Sequence, residues 1–100
     1  MAKVEVQLTS LNELRQFVHE TLCASENLLP EQFHTAQRPL VANDRLCGME
    51  YTLQGLRSVR LSAIWAAEPN VVYCYDATGE RSQKISLKQR PDVSGFAESA

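Results

Sequence analysis

The sequence predicts an α+β domain in which one N-terminal amphipathic helix packs on an antiparallel β-meander of three to five strands. Two patterns support this fold class. Between Met49 and Leu87, apolar and polar residues alternate in short runs separated by turn signals, which is typical of strands with one buried face. Nearer the N-terminus, a helix-capping motif precedes apolar residues spaced three and four positions apart.

Length and composition fit one small folded domain. The chain has 100 residues, of which 44% are hydrophobic and 22% are charged. We predict a single domain over residues 1–90 and a flexible C-terminal tail over 91–100, where the apolar pattern stops. No apolar run reaches the roughly 18 residues of a membrane span, so we expect no membrane association. The N-terminus lacks the apolar stretch of a secretion signal and the three cysteines cannot all pair, which indicates a cytoplasmic protein.

The predicted helix covers residues 10–24. Ser10 and Glu13 form a capping box, in which the hydroxyl accepts a backbone N–H three residues on and the carboxylate reaches back to the cap. The apolar stripe behind this box consists of Leu11, Leu14, Phe17, Val18, Thr21 and Leu22. The helix is expected to end near Ala24 or Ser25. Before it, alternation over residues 3–8 predicts a short strand.

Residues 26–46 are predicted to form an irregular arm that links the helix to the meander. Pro30 excludes a helix running straight through this stretch, although it could open a short helix of its own. Asn43 and Asp44 both tolerate turn geometry and predict a reversal of the chain.

The meander is predicted over residues 46–88, and its turns set which side chains share a face. A four-residue loop over 67–70 places Trp65 opposite Val72 on the core face, together with Cys74. An even turn at Thr78-Gly79 adds Ile85 and Leu87 to that face and turns Ser82 and Lys84 outward. Met49, Tyr51 and Leu53 join the core face only if the loop around Gly55 is odd in length or contains a bulge.

The opposite sheet face is then unusually apolar for a surface exposed to water. Its polar margin surrounds two tyrosines that project to the same side, two positions apart. The candidate interaction residues on this face are Arg60, Ile64, Val71, Tyr73, Tyr75 and Lys84.

Three interpretations of this face compete. The tyrosines could simply pack across neighbouring strands and leave their hydroxyls in water. The face could instead be a protein interface, and self-association into a homodimer is favoured because two-fold dimers are the commonest oligomers. Single-stranded nucleic acid could also stack on the tyrosines while Arg57, Arg60, Arg81 and Lys84 meet phosphates. The formal net charge of −2 counts against nucleic acid.

The sequence contains no recognisable catalytic constellation, and we expect no enzyme activity, cofactor or metal. His19 and Cys23 have a spacing that could offer two zinc ligands, but residues on the helix surface explain the pair better. Cys74 lies on the predicted core face, where burial would raise its thiol pKa and block access. An alternative function is a small-ligand binding domain with a pocket between helix and sheet, lined by residues that more simply fill the core: Phe17, Met49, Tyr51 and Trp65.

The segments 57–65 (RSVRLSAIW) and 75–81 (YDATGER) resemble a group of short uncharacterised bacterial proteins. The resemblance covers the meander and the helix, and it implies an independent small domain without indicating an activity. In that group a proline often follows the glycine of the first turn, whereas here Leu56 follows Gly55. This departure concerns the type of turn and leaves the predicted strands unchanged.

Overall fold

In a computed structural model of the chain, which describes residues 4–6 and 8–92, the predicted helix is α1 (Leu11–Ser25). The Ser10 hydroxyl accepts the Glu13 backbone N–H at 3.1 Å, as the capping box predicts. The Glu13 carboxylate reaches back to Thr9 instead of Ser10, accepting both its backbone N–H and its hydroxyl at 2.7 Å. Thr9 offers two donors to this one carboxylate, and the helix start is therefore capped from both sides.

The strands form one six-stranded sheet, and the predicted α+β fold class is confirmed. They are β1 (Val4–Val6), β2 (Thr35–Ala42), β3 (Arg45–Gln54), β4 (Arg60–Ala66), β5 (Val71–Tyr75) and β6 (Arg81–Leu87). Their order across the sheet is β1-β6-β5-β4-β3-β2, so β2 to β6 make an antiparallel meander of five strands. The short N-terminal strand lies parallel beside β6 at one edge.

The prediction of an irregular arm over 26–46 is wrong from residue 35 onward, because β2 begins there. Pro39 obscured this strand in the sequence, since proline cannot donate to a sheet ladder. β2 is the edge of the sheet, where one side of the strand needs no partner. Asn43 and Asp44 make the turn into β3 with φ values of 54° and 61°, as their residue types predict. Pro30 opens a single-turn 3-10 helix over Pro30–Gln32.

One face of the sheet packs against α1 and holds the core. Leu14, Val18 and Leu22 of the helix stripe are buried against it. The core on this inner face contains all the strand residues predicted to point inward, together with Leu61 and Ala63: Met49, Tyr51, Leu53, Leu61, Ala63, Trp65, Val72, Cys74, Ile85 and Leu87. Trp65 lies opposite Val72, and Val72 lies opposite Ile85. The loop over residues 55–59 has an odd length, as the placement of Met49, Tyr51 and Leu53 requires.

The turn between β5 and β6 differs from the prediction. It spans the five residues 76–80, which is an odd number. A bulge beside Cys74 and Tyr75 compensates, so the β6 side chains still point to the predicted faces of the sheet. Gly79 adopts a φ of 88° in this turn, a conformation that favours glycine. As a consequence Arg81, and not Ser82, lies opposite Tyr75, while Ile85 and Leu87 still point inward.

The predicted tail over 91–100 lies mostly outside the described residues. Its first two residues pack against the domain, because Pro91 is buried and the Asp92 backbone N–H donates to the Thr9 carbonyl at 3.1 Å. The packed chain therefore continues at least two residues beyond the predicted boundary.

Two carboxylates couple the stability of this fold to acid pH. The Thr9 backbone N–H and hydroxyl lower the pKa of Glu13 from its ordinary 4.5, and the Thr78 hydroxyl and Glu80 N–H lower the pKa of Asp76 from 3.8. Their stabilising contribution is therefore present above the ordinary values and is lost as pH falls through the lowered, folded-state values. We expect the free energy of unfolding to decrease below about pH 4.5. Urea denaturation of native, Asp76→Asn and Glu13→Gln proteins should show a shallower pH slope in both variants; unchanged slopes would contradict this assignment.

Candidate functional site

The sheet face opposite α1, called here the outer face, is the candidate site. Within the described chain, α1 is the one helix of more than a single turn, and it packs on the inner face. No second layer of described structure therefore covers the outer face. An uncovered sheet face is ordinarily polar, so its apolar residues are the feature that needs explanation.

Strand register arranges the outer face in cross-strand rows. The central row contains one residue from each antiparallel strand, in the order Arg38, Glu50, Ile64, Tyr73 and Lys84. The next row along the strands contains Ala36, Thr52, Ser62, Tyr75 and Arg81. In the central row, apolar and aromatic side chains thus occupy the middle strands β4 and β5, and charged side chains occupy the strands on either side.

Two contacts hold charged side chains of this face in place. The Arg38 guanidinium pairs with the Glu50 carboxylate at 2.6 Å, although the Arg38 side chain remains 70% exposed. The Arg81 guanidinium lies 4.3 Å from the centre of the Tyr73 ring, in a cation–π contact across the strand diagonal. Such contacts at exposed positions contribute about 1 kcal/mol or less each, so they orient side chains more than they stabilise the fold.

Five of the six predicted site residues lie on the outer face with exposed surface. Ile64, Tyr73 and Tyr75 are half-buried, whereas Arg60 and Lys84 are exposed. Val71 is on the same side but is only 6% exposed, so its prediction as a contact residue is wrong. Val71 directly follows the turn 67–70, onto which the Arg90 guanidinium folds back to donate to the carbonyls of Ala67 and Glu68.

The list of candidate interaction residues omits three charged residues of this face. Arg38 was omitted because β2 was taken for an irregular arm. Glu50 was omitted although its strand was predicted. Arg81 was named only as a possible phosphate contact, and its pairing with β5 depends on a bulge that cannot be read from alternation alone. The alternation of Glu50 with the buried Met49 and Tyr51 was the available signal for the outward direction of its side chain.

His19 ties the helix to the chain before β2. Its Nδ1 lies 2.7 Å from the Thr35 hydroxyl and its Nε2 lies 2.8 Å from the Pro30 carbonyl. A carbonyl oxygen only accepts, so Nε2 donates to Pro30, whereas the Thr35 hydroxyl can either donate to Nδ1 or accept from it. Both ring nitrogens are therefore used for structure.

Cys23 and Cys74 are buried, whereas Cys47 is exposed. Cys23 is fully buried, so its interpretation as a helix-surface residue is wrong, and burial followed by the charge of Glu31 raises its thiol pKa. Cys74 is buried on the core face as predicted, and burial raises its pKa to about 11. All three cysteines are free thiols. No group of three or more His, Cys, Asp or Glu side chains within the described ranges could hold a metal ion.

The space between helix and sheet is filled where the alternative function would need a pocket. Trp65, Tyr51 and Met49 belong to the packed core, as the simpler interpretation predicts. A depression of about 230 Å³ lies farther out, lined by Arg15, Gln16, His19, Pro30, Phe33, His34 and Thr35. It is smaller than the roughly 300–1,000 Å³ of most small-molecule sites. A second, shallow depression of about 460 Å³ lies between α1 and β6 and includes Phe17 of the predicted lining.

Two buried side-chain polar atoms lack a hydrogen-bond partner among the residues described. They are the Tyr51 hydroxyl and the Gln37 side-chain carbonyl, and the two residues lie opposite each other in β3 and β2. Burial raises the pKa of Tyr51, which keeps its phenol protonated. An unpaired buried polar group costs about 1–3 kcal/mol, so this pair is a local weak point of an otherwise apolar core.

Comparison with known proteins adds no functional information. No family model, curated protein or solved structure matches the chain. The resemblance to short bacterial proteins therefore stays a prediction. No helix in the described ranges is long and apolar enough to cross a membrane.

Proposed function

We propose that this protein is a non-enzymatic interaction module and that two copies of it associate through their outer faces. The observation that carries the proposal is the half-buried apolar centre of that face, Ile64 with Tyr73 and Tyr75, over which the described chain places no further layer. Tyrosine, isoleucine and arginine are residues that interfaces favour, and their neighbours here are polar, as at the rim of an interface.

The size of the outer face suits a dimer. Five antiparallel strands about 4.8 Å apart span roughly 24 Å, and seven residues at about 3.3 Å each span roughly 23 Å. The flat area is on the order of 500 Å², which is about two thirds of the approximately 800 Å² that each partner buries in an interface of standard size. Sheet-on-sheet packing is also a common arrangement, with the sheets about 10 Å apart.

The other interpretations of the face have weaker support. Nucleic acid would have to overcome the net charge of −2 and the Glu50 carboxylate in the central row. The small-ligand alternative has weaker support because Met49, Tyr51 and Trp65 fill the core. The depression of about 460 Å³ beside Phe17 lies on the surface, and four of its seven lining residues are polar. A cytoplasmic location remains part of the proposal, and the three free thiols support it because reducing compartments keep cysteines unpaired.

The oligomeric state tests the proposal directly. We expect light scattering to give about twice the chain mass of 11.2 kDa for the native protein. Ile64→Asp should weaken association by roughly a thousandfold, because a two-fold interface loses the same contact twice, at about 2 kcal/mol each. Asn12→Asp adds the same charge to an exposed position at the start of α1 and should leave the dimer unchanged.

Circular dichroism of each variant confirms that the fold is kept. A native protein that remains at the mass of one chain at high concentration would refute self-association. Refutation would also follow if folded Ile64→Asp kept the native dimer affinity.

A further inference from the structure

We infer that the two-fold axis of the proposed dimer runs parallel to the strands, between β4 and β5. In this arrangement Ile64 of each copy meets Tyr73 of the other, and Glu50 of each copy meets Lys84 of the other. The inference rests on the proposed self-association, and it specifies the partner as a second copy bound in one defined orientation. The order of residues across the central row supports it.

With a two-fold axis parallel to the strands, the central row of one copy packs against the central row of the other, which runs in the opposite order across the sheet. Read from β2 to β6, that row is Arg38, Glu50, Ile64, Tyr73 and Lys84. With the axis between β4 and β5, β4 lies over β5 of the second copy and β3 lies over β6. The apolar residue then faces an aromatic residue, and the carboxylate faces an ammonium group.

Neighbouring positions of the axis give poorer pairings. An axis through β4 sets Arg38 over Lys84 of the second copy, which brings like charges together, and sets Glu50 over Tyr73. An axis through β5 sets Lys84 over Ile64. An axis perpendicular to the strands and through the central row lays each strand over its own copy, so that Lys84 meets Lys84 and Glu50 meets Glu50. Like charges held opposite each other in an interface cost several kcal/mol, so these arrangements are disfavoured.

The second row agrees with the same axis. With β4 over β5, Ser62 of one copy faces Tyr75 of the other, so two hydroxyl groups meet near the axis. With β3 over β6, Thr52 faces Arg81 of the second copy. Neither pairing joins like charges. The second row is therefore compatible with the axis that the charges of the central row select.

Charge reversal in separate chains tests the pairing. Glu50→Lys alone or Lys84→Glu alone places like charges at both symmetry-related contacts of its homodimer. Each variant should weaken self-association at least about tenfold. Mixing the two variants produces a heterodimer in which one contact is native and the other is reversed, so both contacts again join opposite charges. We expect the mixture to recover most of the lost affinity, measured by energy transfer between dye-labelled copies.

Lys88→Glu serves as the matched control, because Lys88 is exposed just beyond β6 and outside the row. Its association should be native. A mixture of Glu50→Lys with Lys88→Glu keeps one native contact and one like-charged contact, so it should recover less affinity than the mixture of Glu50→Lys with Lys84→Glu. If the native protein dimerises but mixing Glu50→Lys with Lys84→Glu restores nothing, the orientation inferred here is wrong while self-association stands. If the native protein does not dimerise, both fail. Circular dichroism of the single variants distinguishes lost association from lost folding.

Discussion

Asn70→Ala is expected to lower the free energy of unfolding by about 2–4 kcal/mol. The Asn70 side chain is buried and bridges two strands: its carbonyl accepts the Trp65 indole N–H at 3.0 Å and its amide donates to the Leu87 carbonyl at 3.3 Å. Without it the buried indole N–H is unpaired, at a cost of about 1–3 kcal/mol. Asn70 also has a φ of 56°, and a left-handed conformation costs alanine about 1–2 kcal/mol.

Asn70→Gly separates these two causes. Glycine tolerates the positive φ but cannot accept the indole N–H, so it should be less destabilising than alanine by about 1 kcal/mol. Urea denaturation followed by circular dichroism measures both variants, at one protein concentration because association adds to apparent stability. A loss below about 1 kcal/mol for Asn70→Ala would show that the bridge between Trp65 and Leu87 contributes little.

Gly48→Ala is expected to destabilise the protein by about 2–3 kcal/mol. Gly48 lies in β3 opposite Ala66, and a Cβ atom at this position would overlap the backbone carbonyl oxygen of Trp65. A backbone atom cannot move aside as a flexible side chain can, so β3 and β4 must separate or shift. This also disturbs the pairing of Met49 with Trp65, both of which are buried in the core.

Gly55→Ala is the matched control for this substitution. A Cβ at Gly55 would lie 3.5 Å from the Leu28 side chain, which is ordinary contact, and its φ of −89° suits any residue. We therefore expect a change of less than about 1 kcal/mol, and a small gain is expected because alanine restricts the unfolded chain. Equal losses at Gly48 and Gly55 in thermal denaturation would contradict the steric explanation.

Alternation and capping were sufficient to predict the helix and the two faces of the sheet. Ser10 marks the start of α1 because its hydroxyl has a local donor three residues away. The inward direction of Trp65, Val72 and Ile85 follows from the period of a strand once one turn length is known. Both patterns depend on residues that are close together in the sequence, so they can be recognised without the structure.

The features that sequence reasoning missed depend on neighbours that are distant along the chain. β2 contains Pro39, which is compatible with a strand only at a sheet edge, and edge position is a property of the whole topology. The bulge that brings Arg81 opposite Tyr75 compensates for an odd turn, so parity alone could not reveal it. The role of Asn70 required knowing that Trp65 and Leu87 meet around it.

The central claim is that the outer face packs against a second copy, and an isotope-filtered nuclear Overhauser measurement tests it most directly. A mixture of ¹³C-labelled and unlabelled protein reports only contacts between copies, even though Ile64 and Tyr73 are also neighbours within one chain. We predict signals from the Ile64 methyl groups of one copy to the Tyr73 ring protons of the other. Signals between copies that involve α1 instead, or no such signals at a concentration where the protein is dimeric, would contradict the claim.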